Sequence, residues 1–199
     1  MANDFMTDPQ QLRDLEGQQY IVLRPVGEVR DQFEKVQDAA RERLGDRARY
    51  PGAAHVTLRG LYEPQRVDSV RALVQEWAAA QHPIDLVCEA VDSFPAPWQI
   101  IIARLGRTPA LLHAYASLTA ALDATDLRRI GELPLDDWVF HLSTVYAKIL
   151  PADEWQQLAS ATHHEYPHPP RETVTEVEFV TYFDQTEHRE VFRLGAELS

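Results

Sequence analysis

Two short stretches hold the residue types of acid–base chemistry. One is HVTLRGLY, residues 55–62, and the other is HLSTVYAK, residues 141–148. Each opens on a histidine and places a hydroxyl two residues later, Thr57 in the first and Ser143 in the second. Residues i and i+2 of a strand share a face, so each stretch presents an imidazole beside a hydroxyl. Val56, Leu58 and Leu142 then fall on the opposite, packed side. A lone histidine at the start of a strand is ordinarily structural. Two histidines in matching places, each with its hydroxyl, make an inventory for cleaving a phosphodiester. A neutral imidazole takes a proton from the attacking water or hydroxyl, and a protonated one gives a proton to the leaving oxygen. The unperturbed imidazole pKa, about 6.5, puts both forms within reach. The hydroxyls donate to the non-bridging oxygens as charge develops. The scheme requires no metal and no cofactor.

The remaining pattern has to bring these two strands together. Strands are predicted at 20–25, 55–62, 84–94, 98–105, 138–147, 173–183 and 189–198, on apolar runs bounded by turn residues. Val29, Phe33, Val36, Ala40 and Leu44 recur at helical spacing over 28–44, with Gly45 as a stop. A second helix follows over 67–80. Helices over 109–124 and 151–162 each begin on a proline, which is tolerated in the first turn. Each half of the chain thus reads strand, helix, His-strand, helix, strand. The first half opens at 20–25 and closes at 84–92. The second opens at 98–105 and closes at 173–183, with an extra last strand. Such a repeat predicts two similar lobes about a pseudo-twofold axis, with the His-strands facing across a central cleft. Residues 1–17 read as a tail or short helix, and 18–199 as one bilobal domain.

Composition narrows the setting. The 199 residues are long enough to bury a core without staples, and 45% of them are hydrophobic. A net charge of −12 argues against broad nucleic-acid binding, which relies on neutralising many phosphates. It leaves room for a small nucleotide in a local pocket. The single cysteine, Cys88, allows no internal disulfide and suits a reducing compartment. No secretory signal opens the chain, and its apolar runs are strand-sized, so a cytoplasmic protein is expected, acting as a monomer away from membranes.

HVTL and HLST resemble the paired His-x-Thr/Ser-x signatures of the 2H phosphoesterase superfamily, which includes the bacterial 2′-5′ RNA ligase-like proteins and the cyclic nucleotide phosphodiesterases. The resemblance runs from about residue 20 to residue 198, and IDLVCEAVDSFPAPWQIIIARL is similar to the family's strand–turn–strand after the first motif. It implies an α+β bilobal duplication, each lobe an antiparallel sheet with helices on its outer face. It implies His55 and His141 as the catalytic acid/base pair, and Thr57 and Ser143 as phosphate-binding hydroxyls. The substrate it implies is a small nucleotide or RNA end, with a 2′,3′-cyclic or 2′,5′ phosphodiester cleaved without a metal. Which histidine is acid and which is base stays open. The second motif departs from the pattern, with Ser143 for the commoner threonine and polar Thr144 in a usually apolar place. The alternative is a nucleotide- or RNA-end-binding module of the same fold that does not catalyse.

Other residues receive weaker readings. Arg59 shares the strand parity of His55 and Thr57 and is a possible substrate contact, although its counterpart is Val145. Parity puts Tyr62 and Tyr146 opposite the histidines, in the core. HHEYPHPP, residues 163–170, offers His163, His164, His168 and Glu165 as metal ligands, yet its three prolines mark an irregular, mobile connection bordering the cleft, and no metal is assigned. In YPGAA, residues 50–54, Gly52 and two alanines would let a ligand approach the backbone, and a simple tight connection explains them equally well. SFPAPW, residues 93–98, reads as a hairpin turn with packed aromatics, the alternative being a base pocket shaped by Phe94 or Trp98. His82, His113 and His188 are given no role.

Overall fold

The computed structural model describes residues 4–195. The outermost residues of the expected tail and domain, 1–3 and 196–199, lie outside the described residues. The tail contains a short helix, α1 (Pro9–Asp14). Asp8 accepts from the Gln11 amide, and Pro9 sits in the first turn. Strand β1 (Gln19–Leu23) leads to helix α2 (Glu28–Leu44), which stops where Gly45 turns to φ 53°. Then come β2 (Val56–Leu61), α3 (Val67–Ala79), β3 (Ile84–Phe94), β4 (Ile100–Leu105) and α4 (Pro109–Asp123). The rest are β5 (Arg129–Ile130), β6 (His141–Tyr146), α5 (Ala152–Thr162), β7 (His164–Glu165), β8 (Arg171–Val174), β9 (Glu176–Phe183) and β10 (Thr186–Arg193).

The strands form two antiparallel sheets. The first is ordered β10-β9-β1-β2-β5, and the second β6-β4-β3-β7, with β8 also pairing β3. The lobes are therefore not the two halves of the chain. β3, expected to close the first half, pairs with β4 in the second sheet, because only a short turn joins them and antiparallel neighbours follow. β9 and β10 return to the first sheet, where β9 pairs with β1.

The first sheet packs Ile21, Leu23, Val56 and Leu58 against Val70, Val74 and Trp77 of α3 and Leu111, Leu118 and Leu122 of α4. Each such side chain contributes about 1.5–3 kcal/mol when fully buried. α2 bridges the lobes. Its Val29 and Phe33 join this core, while Ala40 and Leu44 join Val91, Ile101, Val145, Trp155 and Leu158 of the second lobe. The other face of the first sheet carries Tyr20, Val22, Val180 and Tyr182, turned towards the cleft.

One irregularity occurs twice. The β1–β2 ladder runs Leu23↔Val56, Val22↔Thr57, then Ile21↔Arg59, so Leu58 is an extra residue. The β4–β6 ladder runs Ala103↔Leu142, Ile102↔Ser143, then Ile101↔Val145, so Thr144 is the extra residue there. Each motif therefore carries a β-bulge at its fourth position, which resets the alternation of faces beyond it. Thr144, fully buried, is accommodated because its hydroxyl donates to the Ile101 carbonyl at 2.7 Å.

Candidate active site

Strands β2 and β6 lie against each other between the lobes. His55, Thr57, Ser143 and Tyr146 line one cavity of about 180 Å³ there, with Tyr20 and Tyr182 from the first sheet. His141 shares the face of Ser143 on β6 and does not line this cavity, but it lies close enough that its charge acts on His55.

Both imidazoles are held the same way. Nδ1 of His55 hydrogen bonds the Ala53 carbonyl at 3.2 Å, and Nδ1 of His141 the Val139 carbonyl at 2.7 Å. A carbonyl only accepts, so each Nδ1 carries the proton and Nε2 remains for proton transfer. Each ring also rests on a phenylalanine. The Phe5 and His55 centroids are 4.6 Å apart, and the Phe94 ring meets His141 edge-on at 4.8 Å. Burial pushes the His55 pKa down to about 4, opposed by the Ala53 carbonyl and reinforced by the charges of His141 and Arg24. Burial lowers His141 as well, opposed by the Val139 carbonyl. Burial also holds the Tyr146 phenol above its ordinary value, so it stays a donor, facing the Ser143 hydroxyl.

The bulges correct two expectations. Arg59 does not share the cleft face with Thr57. Past the extra Leu58 it turns under α4, where its guanidinium lies 3.4 Å from the Tyr115 ring centroid and donates to the Leu58 carbonyl and Thr119. It is 2% exposed and does not line the histidine cavity. Tyr146, expected in the core, is turned into the cavity by the extra Thr144. Tyr62 is not core either. It lies past the end of β2, 39% exposed, beneath the Arg128 guanidinium.

The 163–170 stretch is tied down rather than loose. His164 and Glu165 pair as β7 with Val91 and Ala90 of β3, and His164 meets the Tyr166 ring edge-on. Among the described residues, no group of three or more His, Cys, Asp or Glu side chains is placed to hold a metal ion. Trp98 is exposed beside Lys148, while Phe94 packs on His141. The sequence reading missed Phe5, Tyr20, Tyr182 and Arg24. Arg24 had a signal. Arg104 pairs with His141, and Arg24, one step past the Leu23↔Val56 pair, takes the matching place. Arg24 is held by Glu178, Nε to Oε1 at 2.6 Å.

Two helix-backed antiparallel sheets, each sending a His-x-Thr/Ser strand to a shared cleft, define a two-lobed fold of the phosphoesterase type. TT0787 of Thermus thermophilus has this fold, with a TM-score of 0.65 at 17% identity, covering 91% of this chain and 100% of that one. LigT of E. coli complexed with 3'-AMP aligns at 0.56 and 16%, and Usb1 of Kluyveromyces marxianus at 0.54 and 8%, each over 91% of this chain and 100% of the other. The chain belongs to the 2'-5' RNA ligase superfamily, whose model matches residues 25–186. That membership makes it a 2H phosphoesterase- or ligase-type protein acting on phosphodiesters. No curated protein matches the sequence. No helix among the described residues is long and apolar enough to cross a membrane.

Proposed function

We propose that the protein is a phosphodiesterase that opens a 2′,3′-cyclic phosphodiester, or hydrolyses a 2′,5′ linkage, on a small nucleotide or RNA end. The observation that carries this reading is the matched pair of imidazoles, each with Nδ1 pinned to the carbonyl two residues back and a hydroxyl alongside. In this reading His55, whose pKa burial pushes down to about 4, is neutral near pH 7 and serves as the base. It takes a proton from water as the oxygen bonds to phosphorus. His141 acts as the acid and gives its proton to the departing ribose oxygen, leaving a phosphomonoester. Its own pKa rises when an anionic phosphate enters beside it. Thr57, Ser143 and the Tyr146 phenol donate to the non-bridging oxygens, whose negative charge grows in the transition state. LigT has been crystallised with 3'-AMP and with phosphate, which supports a nucleotide phosphate in a cleft of this kind.

The test is a panel of 2′,3′-cyclic mononucleotides and 2′,5′-linked dinucleotides, assayed with the native protein and the His55→Ala and His141→Ala variants. Each substitution should lower kcat by about 10²–10⁴-fold, the usual worth of a general acid or base. A folded His141→Ala protein with undiminished turnover ends the proposal. Tight binding across the panel with no turnover by the native protein would make it a binding module instead.

A further inference from the structure

The cleft is covered by a piece of chain that precedes the family match at 25–186. Phe5 is 1% exposed, against His55, with the Arg24 guanidinium 3.9 Å from its ring centroid. Met6 and Leu15 complete that wall of the cavity. The segment is fastened along its length. The Phe5 amide donates to both oxygens of Glu187 at 3.0 and 3.1 Å, and the Met6 amide to Oε2 at 3.0 Å. Tyr182 braces that buried carboxylate with its hydroxyl at 3.1 Å. The Gly52 amide donates to the Phe5 carbonyl at 2.8 Å, and Asp4 and Asp8 pair with Arg189 and Arg49, each at 3.2 Å.

Gly52 reveals what the seat is built for. Its φ lies outside the left-handed region, so its backbone does not demand glycine. A Cβ there would run into the Asp4 carbonyl oxygen. The close approach that the sequence suggested for a ligand is made by the chain's own amino-terminal backbone.

The covered space is small. Pockets for small molecules run to about 300–1,000 Å³, and the histidine cavity holds about 180 Å³. A neighbouring cavity of about 700 Å³ shares Met6, Leu15 and Tyr146 with it, so this segment is the partition between the two. We propose that residues 4–15 form a strap that sets what the site admits. Seated, it leaves room for a phosphate group. A phosphodiester bearing a nucleoside reaches the histidines only when the strap lifts and the two cavities merge. The clause on nucleosides rests on the function proposed above, and the clause on the strap does not.

The experiment uses the full chain with Gly52→Ala, which unseats the strap at Asp4, and Glu187→Gln, which removes its charged anchor. The first readout is carbethoxylation of His55 by diethyl pyrocarbonate, mapped by peptide mass spectrometry, with exposed His113 as the internal reference. In the native protein His55 should react far more slowly than His113. Gly52→Ala should raise the His55 rate by about tenfold, since reactivity follows the open fraction. Glu187→Gln should raise it as well, and it decides the matter if Gly52→Ala does not fold. A native His55 as reactive as His113, or a folded variant with an unchanged His55 rate, overturns the strap. The second readout is kcat/KM on the best substrate of the panel. It should rise in Gly52→Ala, and a fall would make the strap part of the substrate's seat rather than its gate. Faster His55 labelling with no turnover by any protein leaves the strap standing and removes the proposed reaction.

Discussion

Replacing Arg59 with methionine should cost stability and spare turnover. The guanidinium is 2% exposed, stacks on Tyr115 at 3.4 Å and donates to the Leu58 carbonyl at 2.8 Å. A desolvated cation–π contact is worth about 0.5–2 kcal/mol. Leaving a buried carbonyl without its donor costs about 1–3 kcal/mol. Against these stands relief from burying a charge, since burial disfavours the ionised guanidinium here. Glu132 is not stranded, because Arg129 holds it at 3.1 Å. Methionine fills much of the volume, so no large cavity adds to the loss. The net is a destabilisation of about 1–3 kcal/mol, or a Tm lower by about 2–12 °C for a chain of this size. Thermal unfolding reads the first quantity, and kcat/KM on the best panel substrate reads the second. Turnover should stay within about twofold, because changes away from the reacting groups leave transition-state binding intact. A KM raised about tenfold with Tm unchanged would mean that Arg59 reaches substrate. It would refute the inference that the bulge at Leu58 turns Arg59 away from the cleft.

Four other outcomes are expected. Both imidazoles are lowered, so the base limb of kcat/KM should rise near pH 4 and the acid limb should fall below the ordinary 6.5. An optimum above pH 7 would contradict the lowered values. The same shifts mean that the unfolded chain binds more protons between pH 6.5 and about 4. Stability should therefore fall as pH drops through that window, and less steeply in His55→Ala, as urea titrations at several pH values would show. Tyr146→Phe removes a donor beside Ser143 and should lower kcat by about 2–12-fold, the worth of one neutral hydrogen bond; an unchanged kcat means the phenol does not touch the reacting phosphate. Thr144→Val removes the hydroxyl's hydrogen bond to the Ile101 carbonyl and should cost about 0.5–1.5 kcal/mol in urea unfolding, whereas unchanged stability would show that the hydroxyl is dispensable.

The long elements were legible because burial imposes a period. α2 and α3 carry their apolar residues at helical spacing, and the β1, β4 and β9 runs end at turn residues. The two His-hydroxyl pairs were legible for the same reason, being a residue type at a strand spacing. The faces beyond them were not. Leu58 and Thr144 look like ordinary strand members, and a bulge is a property of the ladder rather than of one strand's pattern. Counting alternate residues through it put Arg59 in the cleft and Tyr146 in the core, the reverse of their places. β5, β7 and β8 span two to four residues and are too short to show a period. The helix within the strap begins at Asp8 and Pro9. The strap's docking was hidden, because Glu187 and Phe5 lie 182 positions apart.

The exchange of strands between the halves makes the fold divisible. A cut in the exposed turn at 95–98 would leave β1, β2 and β3 on one fragment and β4 to β10 on the other. Neither fragment owns a complete sheet. The first lacks β9 and β10 beside its β1, and the second lacks β3 beside its β4. Each also carries one histidine of the proposed pair, His55 on the first and His141 on the second. The two pieces are thus complements, and turnover in the reaction proposed above would report their reassembly.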